Sequence, residues 1–417
     1  MATLNIALQN QTTSNTVYAY VTGLAIDNNN ALFLLQSDGK SAYYPASPSG
    51  TVSPLTTNCA IPLGAPGNTV TVTIPHLAGA RLWFSRDSTL TFYLNPGPAL
   101  VEPSVSNQSD TNYHIFWDFC EFTFNSAQLY VNISYVDFVS LPISLTLTNT
   151  SGASQHVSGI PANGLDTVCS GLNAQNSQDN AGWNQLVVTQ NGANLRALSP
   201  NTGIVMNNAL FSGYYQPYVD QVWSKYTGTN LTVNTQTSSG DVNATVSNNT
   251  LTFANNTATY TKPSAADIFS CSSGPFAPTG NQEKDAITAR LAAAFNRSTL
   301  LINSVQPNNE NPSTYYQNAV TNHYSRILHS VNLDKRGYAF PYDDVAPSNG
   351  NDQSGSVFDP NPQLLTVAVG GGNARATVQR ATQGTSQGPA RNNASQSAPT
   401  NNQKGIKAFI KRLSCFK

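Results

Sequence analysis

Short runs of alternating Val, Ile, Leu, Phe, Tyr and Thr fill the chain from residue 3 to about residue 150. "TVYAYVTGLAI", "ALFLLQS", "NTVTVTIPHL", "ARLWFS", "LTFYL", "HIFWDFCEFTFN" and "LPISLTLTNT" are the clearest, and Gly, Pro and Asn clusters break them at intervals of roughly a dozen residues. The pattern predicts a β-sandwich or barrel. Between about 156 and 335 the segments lengthen and two helices are predicted. "QEKDAITARLAAAFNRSTLL" places Ile287, Leu291 and Phe295 on one buried stripe, and "YYQNAVTNHYSRILHSV" repeats the pattern through Tyr316, Val320, Tyr324 and Ile327. "GYAFPYDDV" and "QLLTVAVGG" then return to β character but are too short for a domain of their own.

The chain therefore reads as mainly β with an α/β part. Residues 1–155 form the first part of a β domain, 156–335 an inserted mixed α/β domain, and 336–371 strands returning to the β domain. An open groove lies between the two bodies, where pockets often form. From Gly372 the sequence is poor in apolar residues and rich in Gly, Gln, Asn and Ser, which predicts a disordered tail over 372–417. Its basic end, "KGIKAFIKRLSCFK", reads either as a solubilising tail or as an amphipathic stretch that touches an anionic surface.

Composition narrows the partner. Charged residues make up 10% of the chain and the formal net charge is -1, so there is no basic field to gather nucleic acid and no acidic field to gather cations. A neutral, hydroxyl-rich polysaccharide fits this polar, nearly uncharged surface better. No stretch approaches the roughly 18 apolar residues of a membrane span, and the N-terminus reads as a first strand rather than a secretory leader. Five cysteines without a CxxC spacing allow at most two disulfides, leave an odd thiol at Cys415, and suggest no zinc site. His323 and His329 are six residues apart on one predicted helix, which puts them on different faces and argues against a metal. No GxSxG or phosphate-binding glycine loop is present, and no cofactor is implied.

Candidate chemistry concentrates in "CEFTFNSAQLYVNISYVDFVSLP", where Glu121 and Asp137 are the only charges. In a strand, Trp117, Phe119, Glu121, Thr123 and Asn125 share one face, and Cys120, Phe122 and Phe124 face the core. An acid in a strand serves catalysis, guards an edge or caps a neighbouring loop. Catalysis sets a geometric demand, because two carboxyls that flank a glycosidic bond stand about 5 to 9.5 Å apart. A tight turn at Ser126 to Gln128 would pair Glu121 near Ile133 and leave Asp137 roughly 13 Å further along at about 3.3 Å per residue. A wider loop near Leu129, or a strongly twisted pair, is expected instead.

"DFCEFTFN", "YVNISYVDFVSLPISL", "RLAAAFNRSTLL", "TNHYSRILH" and "GYAFPYDDV", in this order, resemble glycoside hydrolase family 64, endo-β-1,3-glucanases of the laminaripentaose-producing type. The resemblance runs over about residues 1 to 371. "RLWFS", "EFTFN", "VDFVSLP", "YAFPYDD" and "LLTVAVG" also resemble thaumatin-like proteins, although those are cysteine-rich and this chain is not. The resemblance implies a thaumatin-like β domain beside the α/β domain and a monomer that hydrolyses β-1,3-glucan with inversion. Glu121 corresponds to the general acid and Asp137 to the general base. Thr123 and Asn125 are implied sugar contacts, and Tyr130 either stacks on a pyranose or packs. Arg81 is a salt bridge or a substrate contact, Asp343 is expected in the groove, and Asp344 in a structural role. The family is exported, which implies a secreted protein that degrades cell-wall polysaccharide, even though no leader is visible here. The alternative is a non-catalytic glucan-binding, thaumatin-like protein.

Overall fold

The computed structural model describes residues 2–348, 350 and 353–371. The readings of the tail, its basic end and Cys415 lie outside them. Two open sheets organise the β part. One has the order Ser154–Val157, Ile143–Asn149, Pro362–Val369, Leu4–Asn10, Thr69–Ile74. The last of the described strands sits at its centre, antiparallel to Ile143–Asn149 and parallel to Leu4–Asn10, with Ile6 opposite Leu365. Central strands are covered on both faces, so Leu365–Val369 is buried without alternation, apolar except for Thr366.

The second sheet runs Ser356–Asp359, Leu129–Ile133, Phe116–Phe124, Leu77–Arg86, Val17–Ala25, Ala31–Leu35, Ala42–Tyr43, and Ile61–Pro62 also pairs with Val17–Ala25. No sheet closes on itself among the described residues, so the barrel half of the sandwich-or-barrel expectation is corrected. The buried residues of both sheets and of the helices merge into one apolar core.

Residues 156–335 carry six helices: α1 (Gly164–Asp179), α2 (Pro200–Met206), α3 (Gln216–Gly228), α4 (Ala265–Ser270), α5 (Gln282–Arg297) and α6 (His323–Val331). They pack with a three-stranded sheet, Phe138–Val139, Ala193–Leu198, Val187–Gln190, and with a five-stranded one in which Val305–Gln306 runs parallel to Leu231–Asn234. Asn281 caps α5 by accepting the N–H groups of Glu283 and Lys284, and Ser298 ends it in the left-handed region. The single buried stripe expected for α5 is too narrow. Leu291 to Arg297 are buried on every side, as a helix enclosed by other elements must be. The second predicted helix is much shorter than its periodicity suggested. Tyr316 has φ 60°, a conformation that no helix interior accepts, and α6 starts only at His323, capped by Asn322.

Cys59, Cys120, Cys169 and Cys271 are buried, and no disulfide joins any two of them. None of the described helices is long and apolar enough to cross a membrane.

Candidate active site

The site begins as a row of polar side chains across the second sheet. Directly opposed residues on neighbouring strands share a face, and the register aligns Thr22, Arg81, Glu121, Asn132 and Ser356 over five strands. Arg81 is the hub. Its Nε and Nη2 donate to Glu121 Oε1 at 3.3 and 3.1 Å, and its Nη1 donates to Glu102 Oε2 at 2.5 Å. The guanidinium lies 4.6 Å from the Phe119 ring centroid and 5.4 Å from that of Trp83, so an aromatic surface backs the charge. Burial opposes that charge, but Glu121, Glu102 and Asp137 together outweigh it and hold the Arg81 pKa above its ordinary value. Three carboxylates thus act on one cation.

Asp137 arrives by a route that strand geometry alone does not suggest. The hairpin is tight, since Asn125 N–H donates to the Gln128 carbonyl and Glu121 stands opposite Asn132. The wider loop expected near Leu129 is therefore absent. The chain instead leaves the ladder after Ile133. Ser134 bridges to Tyr338, Tyr135 N–H donates to the Tyr338 carbonyl, and the Tyr324 hydroxyl on α6 donates to the Tyr135 carbonyl. Ser199 N–H then donates to the carbonyl of Asp137 itself, and Phe138 pairs with Leu198. Asp137 is consequently held by residues of the 156–335 stretch, half-buried, and its charge acts on Arg81.

Beside this cluster lies an open depression of about 450 Å³ whose lining includes Thr22, Asn30, Gly97 and Glu102. Gly23 and Gly79 also line it, and a Cβ at Gly23 would come within 2.9 Å of Ala80 Cβ, so the close approach of these strands requires glycine. A second depression of about 270 Å³, between α1 and α6, is lined by Gln175 and Arg326 but by no carboxylate, which rules it out as a two-acid site.

A family model described as Beta-1,3-glucanase matches residues 2–369. The chain belongs to glycoside hydrolase family 64. This family 64 chain is 29% identical over 307 residues to the glucan endo-1,3-beta-glucosidases of Arthrobacter sp. (strain YCWD3) and Cellulosimicrobium cellulans, covering 72% of this chain and 53% of each relative. It spans about half the length of the curated relatives it matches. A laminaripentaose-producing beta-1,3-glucanase, solved in complex with laminaritetraose, superposes with a TM-score of 0.78 at 29% identity, over 88% of this chain and 98% of that one. A beta-1,3-glucanase domain from Clostridium beijerinckii has the same fold, with a TM-score of 0.65 at 22% identity over 88% of this chain and 98% of that domain.

In the family 64 chain the expected site residues separate into two groups. Arg81 and Glu121 are hydrogen-bonded and the charge of Asp137 acts on the same guanidinium; the others are buried or taken up by local contacts. Thr123 and Tyr130 oppose each other across the hairpin at 4% and 7% exposure, and the Tyr130 ring stacks on Phe358. Asn125 is spent on the turn, where its Oδ1 accepts the N–H groups of Ala127 and Gln128. Asp343 is corrected outright, because it is fully buried rather than lining a groove. It accepts from Arg297 Nη2 at 3.1 Å, His329 Nε2 at 2.8 Å and Ala339 N–H at 3.0 Å. His323 is buried too, with Nε2 against the Ala319 carbonyl and Nδ1 accepting from Arg326, and burial pushes its pKa down to about 4.

Two carboxylates escaped the sequence reading. Glu102 lies just past the short strand Ala99–Val101, and only the fold brings it to Arg81. Asp118 had a signal. It sits at even spacing with Cys120, Phe122 and Phe124 on the face assigned to the core, where an ionisable group needs a built set of partners.

Proposed function

We propose that this chain hydrolyses β-1,3-glucosidic bonds in β-1,3-glucan with inversion, releasing short laminari-oligosaccharides. Glu121 is the general acid and Asp137 the general base. The observation that carries this reading is Glu121 hydrogen-bonded to the Arg81 guanidinium, with the charge of Asp137 acting on the same cation and Glu102, its other partner, lining an open depression, in a family 64 chain. Both bonds from Arg81 to Glu121 go to Oε1, so the proton delivered to the leaving oxygen is carried on Oε2. Asp137, half-buried on a separate segment, takes the proton of the water that attacks from the opposite face of the sugar. Arg81 orients the acid, and its aromatic backing keeps the guanidinium from swinging away. A single glucan-degrading protomer acting outside the cell, with a thaumatin-like β body, completes the reading.

The test is incubation with a linear β-1,3-glucan, following reducing ends and the product anomer by proton NMR, with Glu121→Gln and Asp137→Asn alongside. Initial release of α-anomers is expected, with turnover lost by about 10² to 10⁴-fold in each variant and glucan binding retained. Binding without any release of sugar by the wild type would replace the enzyme with a glucan-binding protein.

A further inference from the structure

We propose that Asp118 is a positioning residue, tying the segment that carries Asp137 to the strand that carries Glu121 through the backbone N–H groups of Ser140 and Leu141. The inference rests on the acid and base roles given above. Asp118 and Glu121 share the strand Phe116–Phe124 but are three residues apart, so they point to opposite faces. Glu121 faces the polar row, while Asp118 is fully buried beneath it. Its Oδ2 accepts from Ser140 N–H at 2.7 Å and Leu141 N–H at 3.0 Å, and its Oδ1 accepts from Phe119 N–H at 2.8 Å.

The need for such a tie follows from the topology. The ladder between the acid's strand and its hairpin partner ends at the Cys120–Ile133 pair. Beyond it, Phe138 and Val139 pair with Leu198 and Ala197 in a different sheet. The general base would then follow the inserted region and the acid the β part, unless something holds the two together. Asp118 does so three residues beyond Asp137, and the Phe138 ring reinforces the join by packing 4.7 Å from Trp117 and 6.1 Å from Phe119, centroid to centroid. Ser140 Oγ adds a tether on the other side by donating to the Leu195 carbonyl at 2.7 Å.

Burial and one nearby opposite charge act on Asp118 in opposite directions. Arg196, fully buried on the paired strand, supplies an opposite charge through space while its Nη2 donates to the Ile115 carbonyl. Its guanidinium is ringed by Tyr113, Trp117 and Phe138 at 5.3, 5.8 and 5.9 Å. Tyr135 from the tethered segment, Tyr324 from α6 and Cys120 from the same strand also face the carboxyl. Burial pushes the Asp118 pKa up to about 7 against the pull of its backbone donors and Arg196.

The experiment compares wild type, Asp118→Asn and Ser140→Ala by hydrogen exchange of the peptide spanning 134–141 and by kcat and KM on linear β-1,3-glucan. An amide at position 118 cannot satisfy three backbone donors as a carboxylate does. Even with the amide oxygen in the place of Oδ2, it is an uncharged and weaker acceptor, and the amide nitrogen faces the Phe119 N–H. Protection at Ser140 and Leu141 should fall, and kcat should drop about 10 to 10²-fold with KM within about twofold, as a small misplacement of a reacting group does. Ser140→Ala keeps both N–H bonds to Asp118 and is the control that removes only the Leu195 tether. If Asp118→Asn does not fold, exchange in the wild type decides, because Ser140 and Leu141 amides that exchange as fast as an open loop would overturn the tie. Unchanged protection and kcat in a folded variant would overturn the proposal, as would a rise in KM alone. An inactive wild type would sink the acid and base roles instead, and the exchange comparison would still decide whether Asp118 holds the segment.

Discussion

Asp343→Ala separates a groove residue from a buried anchor. In the structure this carboxylate has no exposure and receives three hydrogen bonds, two of them from the side chains of Arg297 and His329. Arg297 is itself fully buried, with Nη1 fixed to the Val345 carbonyl at 2.6 Å. Removing the carboxylate strands a guanidinium that cannot reach water. Breaking a buried pair in this way costs about 3–5 kcal/mol, against under about 1 kcal/mol for a solvated pair. The pH dependence carries a sign as well. Burial alone would raise the Asp343 pKa, but His329 and Arg297 outweigh it and hold the carboxyl below its usual range. A depressed folded-state pKa contributes stability that is present above the unfolded value of about 3.9 and is lost as pH falls through the folded one. Urea unfolding at pH 7 should therefore show the full deficit of the variant, and the deficit should shrink as the pH is taken below about 4. The KM for glucan at temperatures where the variant remains folded should match wild type. A deficit under about 1 kcal/mol combined with a severalfold rise in KM would mean that Asp343 meets substrate, and the buried-anchor account would be wrong.

Other variants probe the site and its supports. Arg81→Lys keeps the charge but cannot hold Glu121 and Glu102 at once, so kcat should fall about tenfold, read from reducing-end release; wild-type kcat would show that the guanidinium fork is not used. Asn125→Ala removes two turn hydrogen bonds and should cost about 1–3 kcal/mol in urea unfolding while leaving KM unchanged, whereas a KM effect on an intact fold would restore it as a sugar contact. The raised pKa of Asp118 gives the opposite linkage to Asp343. The folded state holds a proton that the unfolded chain has already lost, so this group's contribution is greatest below about pH 4 and declines toward pH 7, by up to about 1.4 kcal/mol per unit. The stability difference between wild type and Asp118→Asn, measured by unfolding from pH 5 to 8, should fall as pH rises to about 7 and then level off; a pH-independent difference would refute the shift.

The strands and the α5 helix were legible because they depend on local properties. Alternation of apolar side chains sets which residues pair and which face they take, so Glu121 could be put beside Thr123 and away from Phe122 without knowing the neighbours. The family motifs are likewise contiguous in the chain. What the sequence did not determine is everything that depends on residues far apart in it. Whether Tyr316 continues a helix, whether Asp343 meets solvent or Arg297, and how Asp137 comes within reach of Arg81 are all settled by contacts across tens to hundreds of positions. Alternation says that Asp118 and Glu121 face opposite ways, but only the packed structure turns one into an anchor for Ser140 and Leu141 and the other into a partner of Arg81. The physical reason is that a strand's own sequence fixes the direction of its side chains, whereas the partner each one meets is chosen by the register and the route of other segments.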